Sequence, residues 1–445
     1  MRALDLKLWR DLSHMRGQAV AIAAVIGCGL AVFVGARSTL RSLDAARRAY
    51  YESQRFAEVF VSLNRAPRSL LAQVREIPGV AVVDDRVVEG VLLDLPDLDE
   101  PASGRIVSLP DSGISRLNAV HLLRGRLPEP FRAGEVLVEE AFASAHGFGP
   151  GDRVKAVLNG RLQPLRIVGV ALSPEYITTI QGGSLWPDDK RFGIFWMPRR
   201  QMETAFDMKG AFNDLALTLH PGASEPEVLR RLDRLLHRHG GLGAIGRDLH
   251  LSHRFVSDEL AQLRVMSLVP PAIFLGVAIF LLDVALRRLL ALQREQIAAL
   301  KAFGYGNAAI ARHYAGFVGL IVAAGSVLGS LLGLWMGRGM TSMYSEFYRF
   351  PKTLFRFDCA TLLLGSGLAL LAALLGVVRS LRRAVSIPAA EAMRPEAPPD
   401  YRPSLVERLG WHRVLSPAGR MILREFVRRP AKAAMTALGI AFACA

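Results

Sequence analysis

Several residue patterns in this chain have spacings that can do chemistry, and each has a plainer reading. Gly241-Leu242-Gly243-Ala244-Ile245-Gly246 has the G-x-G-x-x-G spacing that brings backbone amides close to a pyrophosphate at a strand-to-helix turn. Here it follows a His- and Arg-rich helix end instead of a strand, which makes it a flexible turn. His237, His239, His250 and His253 could hold a metal, but no cysteine lies nearby and no compact spacing fixes a geometry, so they read as solvated helix histidines. Asp94, Asp97, Asp99 and Glu100 form an acidic loop that suits solvation better than a cation. No G-x-x-x-x-G-K-[ST] phosphate loop occurs, so ATP hydrolysis by this chain is not expected. The expectation is of no catalytic residue, no metal and no cofactor bound by the chain itself.

The elements that would position any site are dominated by apolar runs. Residues 18–36, 268–286, 314–336 and 359–378 each approach the roughly 20 residues that a helix needs to cross a bilayer. A fifth run starts at Ala431 and is still apolar at Ala445, which predicts the opening of a further span and a chain that is the front part of something longer. Hydrophobic residues make up 51 % and charged residues 21 %, so charges must segregate between the apolar runs. The net charge of +15 then belongs to the flanks of spans, not to a nucleic-acid surface. Cys28, Cys359 and Cys444 lie in or beside apolar runs, where small apolar packing accounts for them. The first run exceeds a signal-peptide core, and Ala36-Arg37-Ser38 is a poor cleavage site, so it reads as an uncleaved helix.

Basic residues set the expected orientation. Arg2, Lys7, Arg10 and Arg16 precede the first span, Arg287, Arg288, Arg294, Lys301 and Arg312 follow the second, and twelve more lie in 379–432. These stretches are expected on the cytoplasmic side. Residues 37–267 then form one large extracytoplasmic domain, and 337–358 form a short loop on the same side. The expected partition is a cytoplasmic amphipathic segment at 1–17, a cytoplasmic loop at 287–313 and a cytoplasmic basic linker at 379–430.

The large domain is expected to be α+β. Leu40, Leu43, Ala46 and Tyr50 share one helix face after the first span, and Glu259–Met266 leads into the second, so the domain stands on two helical stalks. Strands are expected over 58–63, 81–95, 135–138, 154–158, 165–172 and 215–219, with turns at Gly149-Pro150-Gly151-Asp152 and Asn159-Gly160. Helices are expected over 68–76 and 225–239, the second with Val228, Leu229, Leu232, Leu235 and Leu236 as its buried stripe.

Three features stand out beside and within the spans. Gly325, Gly329, Gly333 and Gly337 recur every fourth residue, a small-residue strip that lets another helix approach closely. That helix belongs either to the same chain or to a second subunit. Asp283 is acidic inside an apolar run, but Arg287 and Arg288 follow it, so a local ion pair suits it better than a proton relay. Pro270-Pro271 suits the start of a helix, where a missing amide donor costs little. After the second span, Ile297, Leu300 and Phe303 make a short apolar stripe flanked by Arg294, Glu295 and Lys301. Gly304 should end that helix and Asn307 can cap the next. The short helix is either interfacial or a peg for a cytoplasmic partner.

The run QREQIAALKAFGYGNAAIARHY resembles the loop motif of FtsX-like permeases, the membrane subunits of ABC transporters typified by MacB and the lipoprotein-releasing Lol permeases. RFAEVFVSLNRAPRSLLAQVREIPGV, LRGRLPEPFRAGEVLVEEAFASAHGFGPGD and SIPAAEAMRPEAPP extend the resemblance over most of the chain. It implies a large domain between the first and second helices and a loop that docks into a separate ATPase, which would use ATP and Mg. Carried onto this sequence, Arg294, Glu295, Ile297, Leu300, Lys301, Phe303 and Gly304 become the coupling residues. Many such permeases are duplicated, and shifting the N-terminus along the chain sets Arg10 beside Arg424, Asp11 beside Glu425, Leu12 beside Phe426 and Gln18 beside Lys432.

The expected function is a permease subunit in the bacterial inner membrane. It would couple a partner's ATP hydrolysis to movement of the extracytoplasmic domain, acting on a lipid, lipoprotein or other amphiphile at the outer face. Membrane lipid, a second permease unit and a periplasmic protein are its other candidate partners. Two further readings stay open, a non-transporting regulator of an extracytoplasmic protein and a membrane sensor.

Overall fold

Long apolar stretches that cannot satisfy backbone groups from lipid must satisfy them internally, and here they do so as helices. A computed structural model describes residues 3–95, 98–179, 188–351, 355, 356, 358–386, 388 and 437. Asp97, the fifth apolar run apart from Ala437, and the aligned residues from Arg424 to Lys432 lie outside these. In chain order the helices are α1 (Ala3–His14), α2 (Arg16–Ser53), α3 (Leu71–Arg75), α4 (Glu140–His146), α5 (Arg199–Ala205), α6 (Glu225–Leu236), α7 (Leu251–Met266), α8 (Val269–Leu292), α9 (Arg294–Ala302), α10 (Asn307–Tyr348) and α11 (Cys359–Ser386). The strands are β1 (Val59–Pro67), β2 (Val80–Arg86), β3 (Val88–Asp94), β4 (Ala102–Leu109), β5 (His121–Gly125), β6 (Glu135–Glu139), β7 (Arg153–Leu158), β8 (Arg161–Leu172), β9 (Phe192–Pro198), β10 (Ala211–Leu219) and β11 (Ala244–Gly246).

Among the described residues four helices are long and apolar enough to cross a membrane, and they contain the four expected spans. The chain divides into a helical unit of Met1–Thr39, Leu263–Met340 and Arg356–Ala445, and a large domain of Leu40–Gln262 with Thr341–Phe355. In the helical unit, Ile22 and Ile26 of α2, Leu282 and Leu286 of α8, Phe317 and Ile321 of α10, and Ala373 and Val377 of α11 pack in one core. Leu331, Leu332, Trp335, Leu363, Leu371 and Leu375 are exposed, as a surface facing hydrocarbon requires.

The glycine strip of α10 lies against α2. A Cβ on Gly329 would stand 2.6 Å from the Gly27 carbonyl oxygen, and one on Gly333 would stand 2.9 Å from that of Ala31. Thr39 donates its hydroxyl to the Gly337 carbonyl at 3.3 Å. Ala23, Gly27, Ala31 and Gly35 supply the matching strip, at the same four-residue spacing. Gly329→Val is therefore expected to destabilise the helical unit by about 1–3 kcal/mol, the cost of overpacking a close contact. Gly276→Val, where a Cβ meets nothing within 4 Å, is the neutral control. Thermal unfolding in detergent reads both.

The large domain holds two sheets. One has strand order β11-β1-β10-β2, wholly antiparallel. Val228, Leu232 and Leu236 of α6 and Val74 of α3 pack in its core. The other runs β5-β8-β6-β9-β4-β3-β7, and β7 pairs with β8 as well, so it closes on itself and leaves β5 at an edge. Closure removes unpaired strand edges. Asn159 and Gly160, both at positive φ, make the tight β7–β8 turn that this residue pair favours.

Most expected elements are present. The main differences are three. The stretch 81–95 is two strands, because β2 pairs with β10 and β3 with β4. Strands β4, β5, β9 and β11 and helices α4 and α5 add to those expected. Residues 337–348 are helix, the continuation of α10, and not loop. The large domain thus receives a third helix end beside α2 and α7.

Those helix ends are packed by aromatic rings. Tyr50 meets Phe350 edge-on with centroids 6.2 Å apart, and Phe255 stacks on Phe347 at 6.4 Å. Arg349 pairs with Glu140 at 2.8 Å and Asp189 at 2.9 Å.

Candidate functional site

The peg between α8 and α10 starts where Gln293, at φ −100° and ψ 14°, interrupts helical geometry between α8 and α9. It ends where Gly304 takes φ +90°, the left-handed conformation glycine adopts without a Cβ penalty. Tyr305 then donates its amide to the Leu300 carbonyl at 3.0 Å. Asn307 is the first residue inside α10, and the Gly306 carbonyl accepts from the amides of Ala309 and Ile310. Gly306 therefore occupies the cap position that the sequence reading gave to Asn307.

The expected coupling residues divide between two directions. Ile297 and Ala298 are buried, and Leu300 packs against the bundle core. Lys301 donates to the Val385 carbonyl at 2.7 Å, tying α9 to α11. Phe303 is 82 % exposed, while Glu295 is exposed on the first turn. The stripe of Ile297, Leu300 and Phe303 is thus an inward anchor with one outward ring. Leu292, exposed just before the peg, and Tyr305, just after it, flank that ring in sequence.

Beneath α9 lies a buried polar cluster that the sequence reading missed. Asp11 of α1 accepts from Lys7 at 2.6 Å and from the Gln293 amide at 2.7 Å. Gln293 accepts from Lys7 and from the Tyr314 hydroxyl, each at 2.7 Å. His313 Nε2 stands 3.5 Å from Asp11. Burial pushes the Asp11 carboxyl up, but hydrogen bonds from His313, Lys7 and Gln293 prevail and hold it below its ordinary value. Asp283 makes the local pair its neighbours suggested, with Arg287, and also accepts from Ser380 of α11 at 2.5 Å.

The other sequence candidates resolve as structure. The glycine-rich run follows a 3-10 turn and enters β11, the reverse of a strand-to-helix phosphate turn. Asp94 pairs with Lys155 at 3.6 Å and Glu100 with Arg191 at 3.4 Å. Among the described residues no set of three His, Cys, Asp or Glu side chains could hold a metal. His253 contacts the Tyr51 hydroxyl and Ser257, each at 3.1 Å. Burial, with Arg47 and Arg247 adding to it, brings its pKa down to about 4.

The unfolded chain binds a proton at His253 near its ordinary 6.5, whereas the folded domain resists until about 4. Stability is therefore lost as pH falls from about 6.5 to about 4, with no further loss from this group below that. Protection factors in the large domain, with the intrinsic pH dependence of amide exchange divided out, should fall over that window, and His253→Gln should flatten the dependence.

The two sheets of the large domain are pinned by Arg86 on β2. Its guanidinium meets Glu175, after β8, at 2.5 Å and Asp214 of β10 at 2.5 Å, with all three side chains buried. Asn118 donates to Glu175 at 2.8 Å. Burial raises the Glu175 carboxyl, yet Arg86 overcomes this and leaves it lowered; at Asp214 burial prevails.

No curated protein matches the chain. Among solved structures, the periplasmic region of MacB from Actinobacillus actinomycetemcomitans is similar at 10 % identity and TM-score 0.29, over 46 % of this chain and 92 % of that one. The extracellular domain of the ABC-type transporter YknZ from Gram-positive bacteria gives 13 %, 0.28, 43 % and 98 %. A domain of a putative permease protein from Porphyromonas gingivalis gives 16 %, 0.26, 43 % and 90 %. Residues 269–389 match the family model described as FtsX-like permease C-terminal. That stretch begins at the first residue of α8 and takes in α9, α10 and α11. Residues 269–389 thus form an FtsX-like permease C-terminal domain within a multi-pass membrane protein.

Proposed function

We propose that this chain is the membrane subunit of an ABC transporter, and that α9 is where a separate ATPase grips it. The observation that carries this is the split of the peg: Ile297 and Ala298 are locked into the bundle while Phe303 stands 82 % exposed at the C-terminal end. An isolated exposed aromatic ring on an anchored helix is the kind of group that dominates a protein interface when a pocket covers it. The basic flanks support a cytoplasmic side for α1 and α9, with the large domain outside.

Force from the ATPase would pass along the helices. At 1.5 Å per residue α2 is about 57 Å long and α10 about 63 Å, each well beyond a hydrocarbon core of about 30 Å. Each is one unbroken helix running on into the residues of the large domain. ATP and Mg belong to the partner, and this chain contributes transmission. The substrate class we infer is an amphiphile. An apolar recess of about 200 Å³ among Gly29, Phe33, Leu268, Pro271, Gly365 and Leu368 suits an acyl chain and offers no polar path for a solute.

A photo-crosslinking residue tests the docking reading. Placed at position 303 it should capture an ATPase subunit in native membranes, and placed at the buried position 297 it should not. Capture from 297 and not from 303, or from neither, would sink the reading.

A further inference from the structure

The cluster of Asp11, Gln293 and His313 is not part of the exposed docking surface, yet it sits at the root of α9. Gln293 is the single residue between α8 and α9. Its carbonyl accepts the Ile297 amide at 2.9 Å, starting α9, while its side chain reaches back to α1. There it exchanges bonds with Asp11 and Lys7, and Tyr314 of α10 donates to the same carboxamide oxygen. Asp11, Gln293, His313 and Tyr314 are each less than 9 % exposed. A buried polar group released from such a set costs more than the bond it made, because it is left desolvated. The network therefore has one low-energy arrangement, and with it one direction in which α9 leaves α8.

We propose that Asp11 and Gln293 are positioning residues, through which the N-terminal helix α1 acts as a strut that sets the pose of α9. This rests on the reading of α9 as the ATPase contact for its functional meaning, but not for its test. The far end of α9 is tied separately, by Lys301 to the Val385 carbonyl. Loss of the root contact should therefore loosen the first turns of α9 before it unseats the peg.

The test exchanges the two functional groups. Asp11→Asn leaves Lys7 and His313 without their carboxylate, and Gln293→Glu places two carboxylates together. The double variant returns one carboxylate and one amide to the site, with Lys7 in reach of both. Hydrogen exchange of the α9 amides is measured on the full chain in lipid nanodiscs, with amides of the large domain as the folding control. Each single change should speed exchange in α9 by about tenfold, and the pair together should recover to within about threefold of the parent. Gln293→Met, which keeps side-chain length without the bonds, should behave as the single changes do. Unchanged α9 exchange in all three single variants would overturn the proposal, as would a double variant as fast as the sum of its parts. No ATPase is present in this measurement, so its failure is separate from failure of crosslinking at position 303.

Discussion

Arg86→Met should destabilise the large domain by about 3–5 kcal/mol, because it strands two buried carboxylates that a single guanidinium now holds. For a domain of this size the shift in Tm is roughly 10 °C. Glu175 and Asp214 share the Arg86 Nη2 but come from different sheets, one following β8 of the closed sheet and the other on β10 of the open sheet. Without the cation their repulsion acts across the join between the sheets. The damage should accordingly appear as separation of the two sheets and not as melting of either. Hydrogen exchange at Leu215 and Val168 would speed together only on global unfolding, whereas the join around Asn118 should open first. Replacing all three charges at once, with Glu175→Gln and Asp214→Asn added, should recover most of the loss, since the cost lies in uncompensated charge. Failure of the triple variant to recover would mean that Arg86 acts through packing of its stem.

Phe303→Asp should weaken association with the ATPase by 100-fold or more, about 3 kcal/mol, the scale of removing a central aromatic anchor and leaving a charge in its place. Its own fold should be untouched, because the side chain is 82 % exposed and contributes no core contact. Leu300→Asp is a different experiment. Leu300 packs on the bundle core, so a carboxylate there would dislodge α9 and lose the partner for a structural reason. Co-purification of the two variants, read beside α9 hydrogen exchange, separates the effects. Phe303→Asp should lose the ATPase with α9 still protected, and Leu300→Asp should lose both.

How far these residues could be read in advance follows from the physics of each. Four spans were legible because a bilayer demands about 20 apolar residues in a row, and the glycines of α10 because their spacing matches a helix turn. Their partner was equally visible in Ala23, Gly27, Ala31 and Gly35, once two strips are compared instead of one. The continuation of α10 to Tyr348 was hidden by Arg338, which breaks the hydropathy without breaking the helix. The single expected strand over 81–95 failed at Arg86 and Val87, where the chain passes from one sheet to the other. At the peg, helical spacing placed Ile297, Leu300 and Phe303 on one face, and Phe303 as the cap still bonds the Ala299 carbonyl, but of the three side chains only Ile297 and Leu300 reach the bundle core. Asp11 and Gln293 are 282 positions apart, and neither lies in a pattern that names the other. Contacts of that kind arise from tertiary packing and leave no local trace.

In the proposed mechanism the ATPase acts on the large domain through α9. The most direct measurement places one spin label in the bundle and one in the large domain, in the complex with its ATPase in nanodiscs. The distance between them is then compared without nucleotide and with ATP trapped. The account predicts a distinct distance with ATP that vanishes in Phe303→Asp. An unchanged distance while the bound ATPase turns over ATP would contradict it.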